Sequence, residues 1–226
     1  MERRMGAEPP ALLRLQALSA EERLGALAAH QAEQFRQGWR VEAVELAIED
    51  AFSLEGVPVK VVIDRIDRHL DGRVRVVDYK TGARDESPAK AHLRVWKTET
   101  CPAALGPLVD HDRLRGAGWS NVQLPLYAEV VRRAWSLEKI PSVWYAWLPP
   151  AVSDAGFNEF VGMEQLMPSA LTWAGEAVRR IRAGVFWPPA AEVAYDRFEA
   201  LAPEGLRQAL GREWEKLLAG TAEVAS

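Results

Sequence analysis

The spacing of hydrophobic positions changes several times along the chain, and each change marks an element. Ser19-Ala20-Glu21-Glu22 sets a capping hydroxyl three residues before a glutamate, which predicts a helix from there to about Gln37, with Gly38 as its stop. From Trp39 the pattern alternates, with Val41, Ala43, Glu45 and Ala47 set against Glu42, Val44, Leu46 and Ile48, and reads as a strand. A helix stays open there, because Glu42, Glu45 and Glu49 also share a helical face. Val57 to Ile66 and Val74 to Tyr79 are rich in β-branched residues and flank Asp71-Gly72, a strong turn signal, so they predict a hairpin that Thr81-Gly82 ends.

A polar stretch punctuated by Pro and Gly follows, from about residue 83 to residue 118. It is too long for a plain connection and reads as a functional loop, partly helical or mobile, that carries His92, Lys97 and His111. Leu124, Tyr127, Val130, Val131 and Ala134 recur at helical spacing between Gln123 and Trp135. Ser142 to Leu148 reads as a strand closed by Pro149-Pro150, and Leu166 to Ala183 as an amphipathic helix broken by Trp187-Pro188-Pro189. A last helix is predicted over about 203–218. The order is helix, strand, hairpin, helix, strand, helix, which implies an α/β architecture with a central mixed sheet flanked by helices.

Composition narrows the class. At 226 residues and 48% hydrophobic content, one compact domain with helical additions is expected. No apolar run approaches the roughly 18 residues of a membrane span. The opening Met1-Glu2-Arg3-Arg4 leads into Gly, Pro and polar residues rather than a signal-peptide core, so a soluble, cytoplasmic protein with no membrane partner is expected. The single cysteine, Cys101, can form neither an internal disulfide nor a four-cysteine cluster within one chain.

The net charge of −4 argues against bulk electrostatic coating of nucleic acid. Locally the balance reverses: between Lys60 and Lys97 ten Lys and Arg stand against six Asp and Glu, a surplus of +4. A solvated strand face of mixed charge explains this composition as well as a polyanion-binding surface does.

The chemistry concentrates in that segment. Asp64 lies near the end of an apolar strand run, and the turn at Asp71-Gly72 returns the second strand so that Asp78 faces it. Apposed carboxylates repel unless a cation lies between them, and a hard cation such as Mg²⁺ or Mn²⁺ suits oxygen ligands. Period-two geometry puts Lys80 on the face of Asp78 and turns Tyr79 away. Two carboxylates and an ammonium at one point suit phosphodiester hydrolysis, in which the cation polarises the phosphoryl group and the ammonium offsets developing charge. The competing account is a pair of structural salt bridges on a hairpin.

Four motifs in order decide between these. Residues Trp39 to Glu45 form a strand with a glutamate before the core. Ile63-Asp64-Arg65-Ile66-Asp67 matches the pattern G-x-I-D-R-I-D in its last five positions, Val77-Asp78-Tyr79-Lys80-Thr81-Gly82 matches h-D-Y-K-T-G, and Gln123-Leu124-Pro125-Leu126-Tyr127 matches Q-L-x-x-Y. Over roughly residues 38–190 the chain thus resembles the RecB-type branch of the PD-(D/E)XK nucleases, and most of all the C-terminal nuclease domain of AddB-type helicase–nuclease subunits, which share the break at Trp187-Pro188-Pro189.

The resemblance implies a restriction-endonuclease-like core over residues 39–190, with an N-terminal helical segment (1–38) and a C-terminal helical extension (191–226). It implies that Asp64 and Asp78 ligate Mg²⁺ or Mn²⁺, joined by the Tyr79 carbonyl, and that Lys80 is the catalytic lysine. Gln123 and Tyr127 would support the site or touch nucleic acid, or simply pack the helix face. Glu45 and Asp67 would be supporting or salt-bridge residues, and Arg65 and Arg68 candidate phosphate contacts or ordinary charge pairs.

The chain departs from the family pattern at three places. Val61-Val62 replaces the glycine before x-I-D. With Cys101 alone, no iron–sulfur cluster of the kind many relatives hold is expected. The upstream metal-binding histidine has only His30 to correspond to it, one residue out of the usual spacing to Glu33 and Phe35, and one residue turns a side chain by about 100°. Two functions follow. One is a divalent-metal-dependent, exonuclease-like DNA nuclease of repair, recombination or defence. The other is a catalytically weak nucleic-acid-binding or scaffolding module that partners a helicase. The nine tryptophans, Trp39, Trp96, Trp119 and Trp187 among them, would stack bases or, more commonly, fill the core.

Overall fold

In the computed structural model, residues 10–82, 87–95 and 117–184 are described. The chain divides into two compact units, residues 1–179 and 180–226, and the described residues fall almost wholly in the first. Its elements are α1 (Ala11–Arg36), β1 (Trp39–Ile48), β2 (Ser53–Leu54), β3 (Val57–Pro58), β4 (Val61–His69), β5 (Val74–Lys80), α2 (Pro88–His92), β6 (Leu93–Val95), β7 (Ala117–Trp119), α3 (Gln123–Ala134), β8 (Ser142–Trp147), β9 (Gly156–Glu159) and α4 (Met163–Arg182).

The five-stranded sheet has the order β1-β4-β5-β8-β9. Only β5 and β8 run parallel, joined by a crossover that includes α3, and the other neighbours are antiparallel. The sheet is therefore mixed and flanked by helices, as the sequence predicts. One face carries Ile66, Val74 and Val76 against Leu124, Ala128 and Val131 of α3 and Leu166 and Ala170 of α4. Each fully buried aliphatic side chain there contributes about 1.5–3 kcal/mol, so this layer fixes the sheet on which the site is built. On the other face, Leu27 of α1 packs with Val77, Ala146 and Leu148.

Several boundaries differ from the sequence reading. The capping-box pattern at Ser19 lies inside α1, which starts eight residues earlier, behind Pro10 at the N-cap. Proline is tolerated at a helix start because its missing N–H has no helical partner there, and it outcompetes the internal signal. Gly38 does stop the helix: its φ is +100°, and a Cβ there would meet the His69 ring at 2.8 Å. The sequence reading did not place the short hairpin β2–β3, the small β6–β7 sheet or the edge strand β9, elements of two to four residues too short to show a period. The predicted helix over 203–218 lies outside the described residues.

Strands β1 and β4 share a distortion. Ala43 pairs with Ile66 and Leu46 with Ile63, and all four side chains pack into the same core although each pair on one strand is three residues apart. Strict alternation would send one of each pair to the opposite face. The phase resets at Glu45, whose φ is +47°, and at Asp64, which stands across from it between the same registered pairs. Such irregularities re-aim side chains, and here the re-aimed residue is a predicted metal ligand.

Candidate active site

Strands β4 and β5 pair as Arg65 with Val77 and Ile66 with Val76, so the next step toward the open end of the hairpin brings Asp64 opposite Asp78. Asp64 Oδ2 accepts the Tyr79 backbone N–H at 2.9 Å, which ties this carboxylate to β5. Asp78 is buried, 3% exposed, and faces Lys80, whose ammonium lies 2.7 Å from Oδ2. Among the described residues that ammonium is the one partner of Oδ2. Gln123 Nε2, at the start of α3, donates to Asp78 Oδ1 at 3.4 Å and to the Tyr127 hydroxyl at 2.9 Å. The Lys80 ammonium also stands 5.1 Å over the ring of Tyr145, the β8 residue in register with Asp78.

Burial pushes the Asp78 carboxyl above its usual range, Lys80 pulls it back, and the Asp64 charge adds to the rise. A buried carboxylate held above its usual range, beside a second carboxylate, is what a hard cation relieves. Among the described residues no three His, Cys, Asp or Glu side chains converge. Two carboxylates and a backbone carbonyl nevertheless suit Mg²⁺, which is commonly held by one or two carboxylates and completes its shell with water and substrate oxygens.

The other predicted site residues divide. Gln123 and Tyr127 are at the site. Tyr79 contributes its amide, while its hydroxyl accepts from Arg65 at 3.3 Å on the opposite face. Glu45 stands across from Asp64 in register but is exposed and does not join the two aspartates.

Asp67 is away from them, fully buried on the α1 side of the sheet. Its carboxylate is gripped by Arg65 at 2.5 and 2.8 Å and by Arg75 at 2.9 and 2.8 Å. Arg75 continues to Gln34 of α1 at 2.6 Å and lies 4.1 Å over the Trp39 ring. Arg65 is thus bound internally and is no phosphate contact, and Arg68 pairs with Glu42 at 3.2 Å over Trp135. His30 is exposed and lies against Gly156 of β9, with β8 between it and β5. Trp39 and Trp119 are core residues. Trp96, Lys97, Cys101, His111 and Trp187 lie outside the described residues.

The sequence reading gave no role to Arg23 and named His92 only as part of the loop. Arg23 of α1 lines a groove of about 390 Å³ with Gln16, Ser19, Thr81 and Leu148, and its buried Nε has no partner. Leu148 N donates to the Lys80 carbonyl at 2.7 Å, so the groove adjoins the end of β5. His92 is fully buried beneath the site. Its position among breaker residues concealed it, and the i, i+3, i+4, i+7 spacing of Gln16, Ser19, Ala20 and Arg23 was the signal available for the groove.

A solved structure similar to the chain is that of a protein described only as a candidate exonuclease, from Eubacterium rectale. It is 15% identical over 78% of this chain and 57% of that one, with a TM-score of 0.47. This chain therefore spans little more than half the length of that neighbour. No curated protein matches the chain. The family model of the PD-(D/E)XK nuclease superfamily matches residues 2–223, nearly the whole sequence. With the aspartate pair and the lysine in place on a mixed sheet, the chain belongs to the PD-(D/E)XK nuclease superfamily.

Proposed function

We propose that the protein is a divalent-metal-dependent phosphodiesterase that acts on DNA, exonuclease-like, of the RecB-type branch and related to AddB-type nuclease domains. The observation that carries this reading is the buried Asp78 carboxylate, ion-paired through Oδ2 with Lys80, with Asp64 opposite. Asp64 and Asp78, with the Tyr79 carbonyl, would hold Mg²⁺ or Mn²⁺. A bound cation would supply Lewis-acid polarisation of the phosphoryl group and a locally acidified water.

The chain's own residues do the rest. Lys80 places its ammonium where negative charge builds on the phosphoryl oxygens, a contribution of the kind whose loss costs about 10²–10³ in rate. Gln123 orients the Asp78 carboxylate, and Tyr127 orients Gln123. Asp64 is held by the Tyr79 amide, which ties its carboxylate to the strand that carries Asp78. Arg23, in the groove beside Thr81, is the cation best placed to take a backbone phosphate.

A second reading, a catalytically weak nucleic-acid-binding or scaffolding module paired with a helicase subunit, is favoured by one observation: among the described residues only two carboxylates converge, with His30 beside β9. End-labelled single- and double-stranded DNA incubated with Mg²⁺, Mn²⁺ or EDTA separates the two. Metal-dependent degradation that is lost in Lys80→Ala and Asp78→Ala supports the nuclease. DNA binding without cleavage in any metal supports the module.

A further inference from the structure

His92 ends α2 and is fully buried, with its ring against Phe160 at a centroid distance of 5.7 Å. Both ring nitrogens are occupied: Nδ1 lies 2.9 Å from the Asn121 carbonyl oxygen and Nε2 2.8 Å from the Tyr145 hydroxyl. A carbonyl only accepts, so the proton is on Nδ1, and Nε2 accepts from the tyrosine. Each partner leads to one side of the active site. The Tyr145 ring lies 5.1 Å beneath the Lys80 ammonium. Asn121 Oδ1 accepts the Gln123 N–H at 2.8 Å, which fixes the first turn of α3, and Gln123 reaches Asp78.

We propose that His92 is a positioning residue: neutral and protonated on Nδ1, it clamps the Tyr145 hydroxyl and the Asn121 carbonyl, and so sets Lys80 above the Tyr145 ring and Gln123 against Asp78. The inference rests on the nuclease reading of the Asp64, Asp78 and Lys80 site. Packing alone would be met as well by phenylalanine, which offers neither the Nδ1 donor nor the Nε2 acceptor that these two partners engage here. Burial, and after it the nearby Lys80 charge, lowers the His92 pKa to about 4, against a pull upward from the Asn121 carbonyl. The ring therefore keeps one tautomer across the neutral range.

Three variants separate the two arms. His92→Asn keeps a donor toward Asn121 and loses the acceptor for Tyr145. His92→Gln reaches toward Tyr145 and loses the Asn121 bond. Tyr145→Phe removes the hydroxyl alone, and it carries the test if a His92 variant fails to fold. Mn²⁺ binding followed by electron paramagnetic resonance should weaken about 10–100-fold in folded variants, the range typical of groups that orient metal ligands. Long-range ¹H–¹⁵N spectra of the unaltered protein should show His92 protonated on Nδ1 between pH 5 and 8, with or without metal.

Folded His92→Gln and Tyr145→Phe proteins that bind Mn²⁺ as tightly as the unaltered chain, with the same cleavage rate at saturating metal, would overturn the proposal. So would an Nε2–H tautomer. Failure of the unaltered protein to bind Mn²⁺ would instead remove the nuclease reading, and this inference with it.

Discussion

The side chain of Asp64 is held by the backbone of its neighbour strand: Oδ2 accepts the Tyr79 N–H at 2.9 Å, directly beside Asp78. The bond spends one carboxylate oxygen on the fold and leaves the other for chemistry. Among the described residues no backbone amide binds Asp78, and its buried Oδ2 pairs with Lys80 alone. The two aspartates are therefore not equivalent, and the stability cost of the site falls on Asp78.

That asymmetry makes Asp78→Asn a stabilising change without metal. The Asp78 carboxyl titrates above its ordinary value because burial disfavours the charge. A carboxyl raised in the folded state binds more protons than the unfolded chain does between the ordinary and the raised pKa, so stability falls as pH rises through that window. Above it the full cost is present. In EDTA at pH 7.5, Asp78→Asn should melt higher than the unaltered protein, and the gap should close as pH falls toward the ordinary carboxyl value of about 3.9. Added Mg²⁺ should raise the melting temperature of the unaltered protein alone. A variant that melts lower in EDTA at pH 7.5 would show that the Lys80 pair outweighs desolvation.

Asp67 should prove structural. Its carboxylate is the counter-charge for both Arg65 and Arg75 and has no exposure to solvent. Asp67→Ala leaves two guanidinium groups without it, and breaking a buried pair from one side costs about 3–5 kcal/mol. Urea unfolding should show a midpoint lowered accordingly, while the folded fraction cleaves at the normal rate. A loss of rate with unchanged stability would return Asp67 to the active site.

These two aspartates show what the sequence made legible. Asp64, Asp78 and Lys80 were readable because a turn signal at Asp71-Gly72 fixes the register and alternation fixes the face. Asp67 and Arg65 were not, since a charged strand residue reads as solvent-facing until a partner three-dimensionally across from it, here Arg75, is known. The reset at Glu45 and Asp64 was hidden for a related reason: it takes the register of both strands to see that Ala43 and Leu46, three residues apart, fill one core. The burial of His92 was hidden because its ring packs against Tyr145 and Phe160, which are distant in sequence.

The phosphate contact proposed for Arg23 is separable from metal binding. Arg23→Ala should lower affinity for DNA in EDTA and reduce the slope of log K against log salt by about 0.7–0.9, the share of one phosphate contact. Mn²⁺ affinity should not change, because Arg23 lines the groove beside Thr81 rather than touching Asp64 or Asp78. Fluorescence anisotropy over a salt series reads this directly. An unchanged slope would take the DNA path out of that groove.

Lys80 allows metal binding and catalysis to be pulled apart. Without metal, its ammonium lies 2.7 Å from Asp78 Oδ2 and competes for the oxygen that a cation would take. Removing it abolishes that competition and also the charge that would meet the phosphoryl group. Lys80→Ala should therefore bind Mn²⁺ at least as tightly as the unaltered protein while cleaving about 10²–10³ more slowly at saturating metal. Lys80→Arg should not rescue the rate fully, because a planar fork cannot occupy the point position of an ammonium over the Tyr145 ring. Isothermal titration with Mn²⁺ beside single-turnover cleavage would distinguish the outcomes. If Lys80→Ala loses metal affinity in step with rate, the lysine acts by holding Asp78 in place rather than on the substrate.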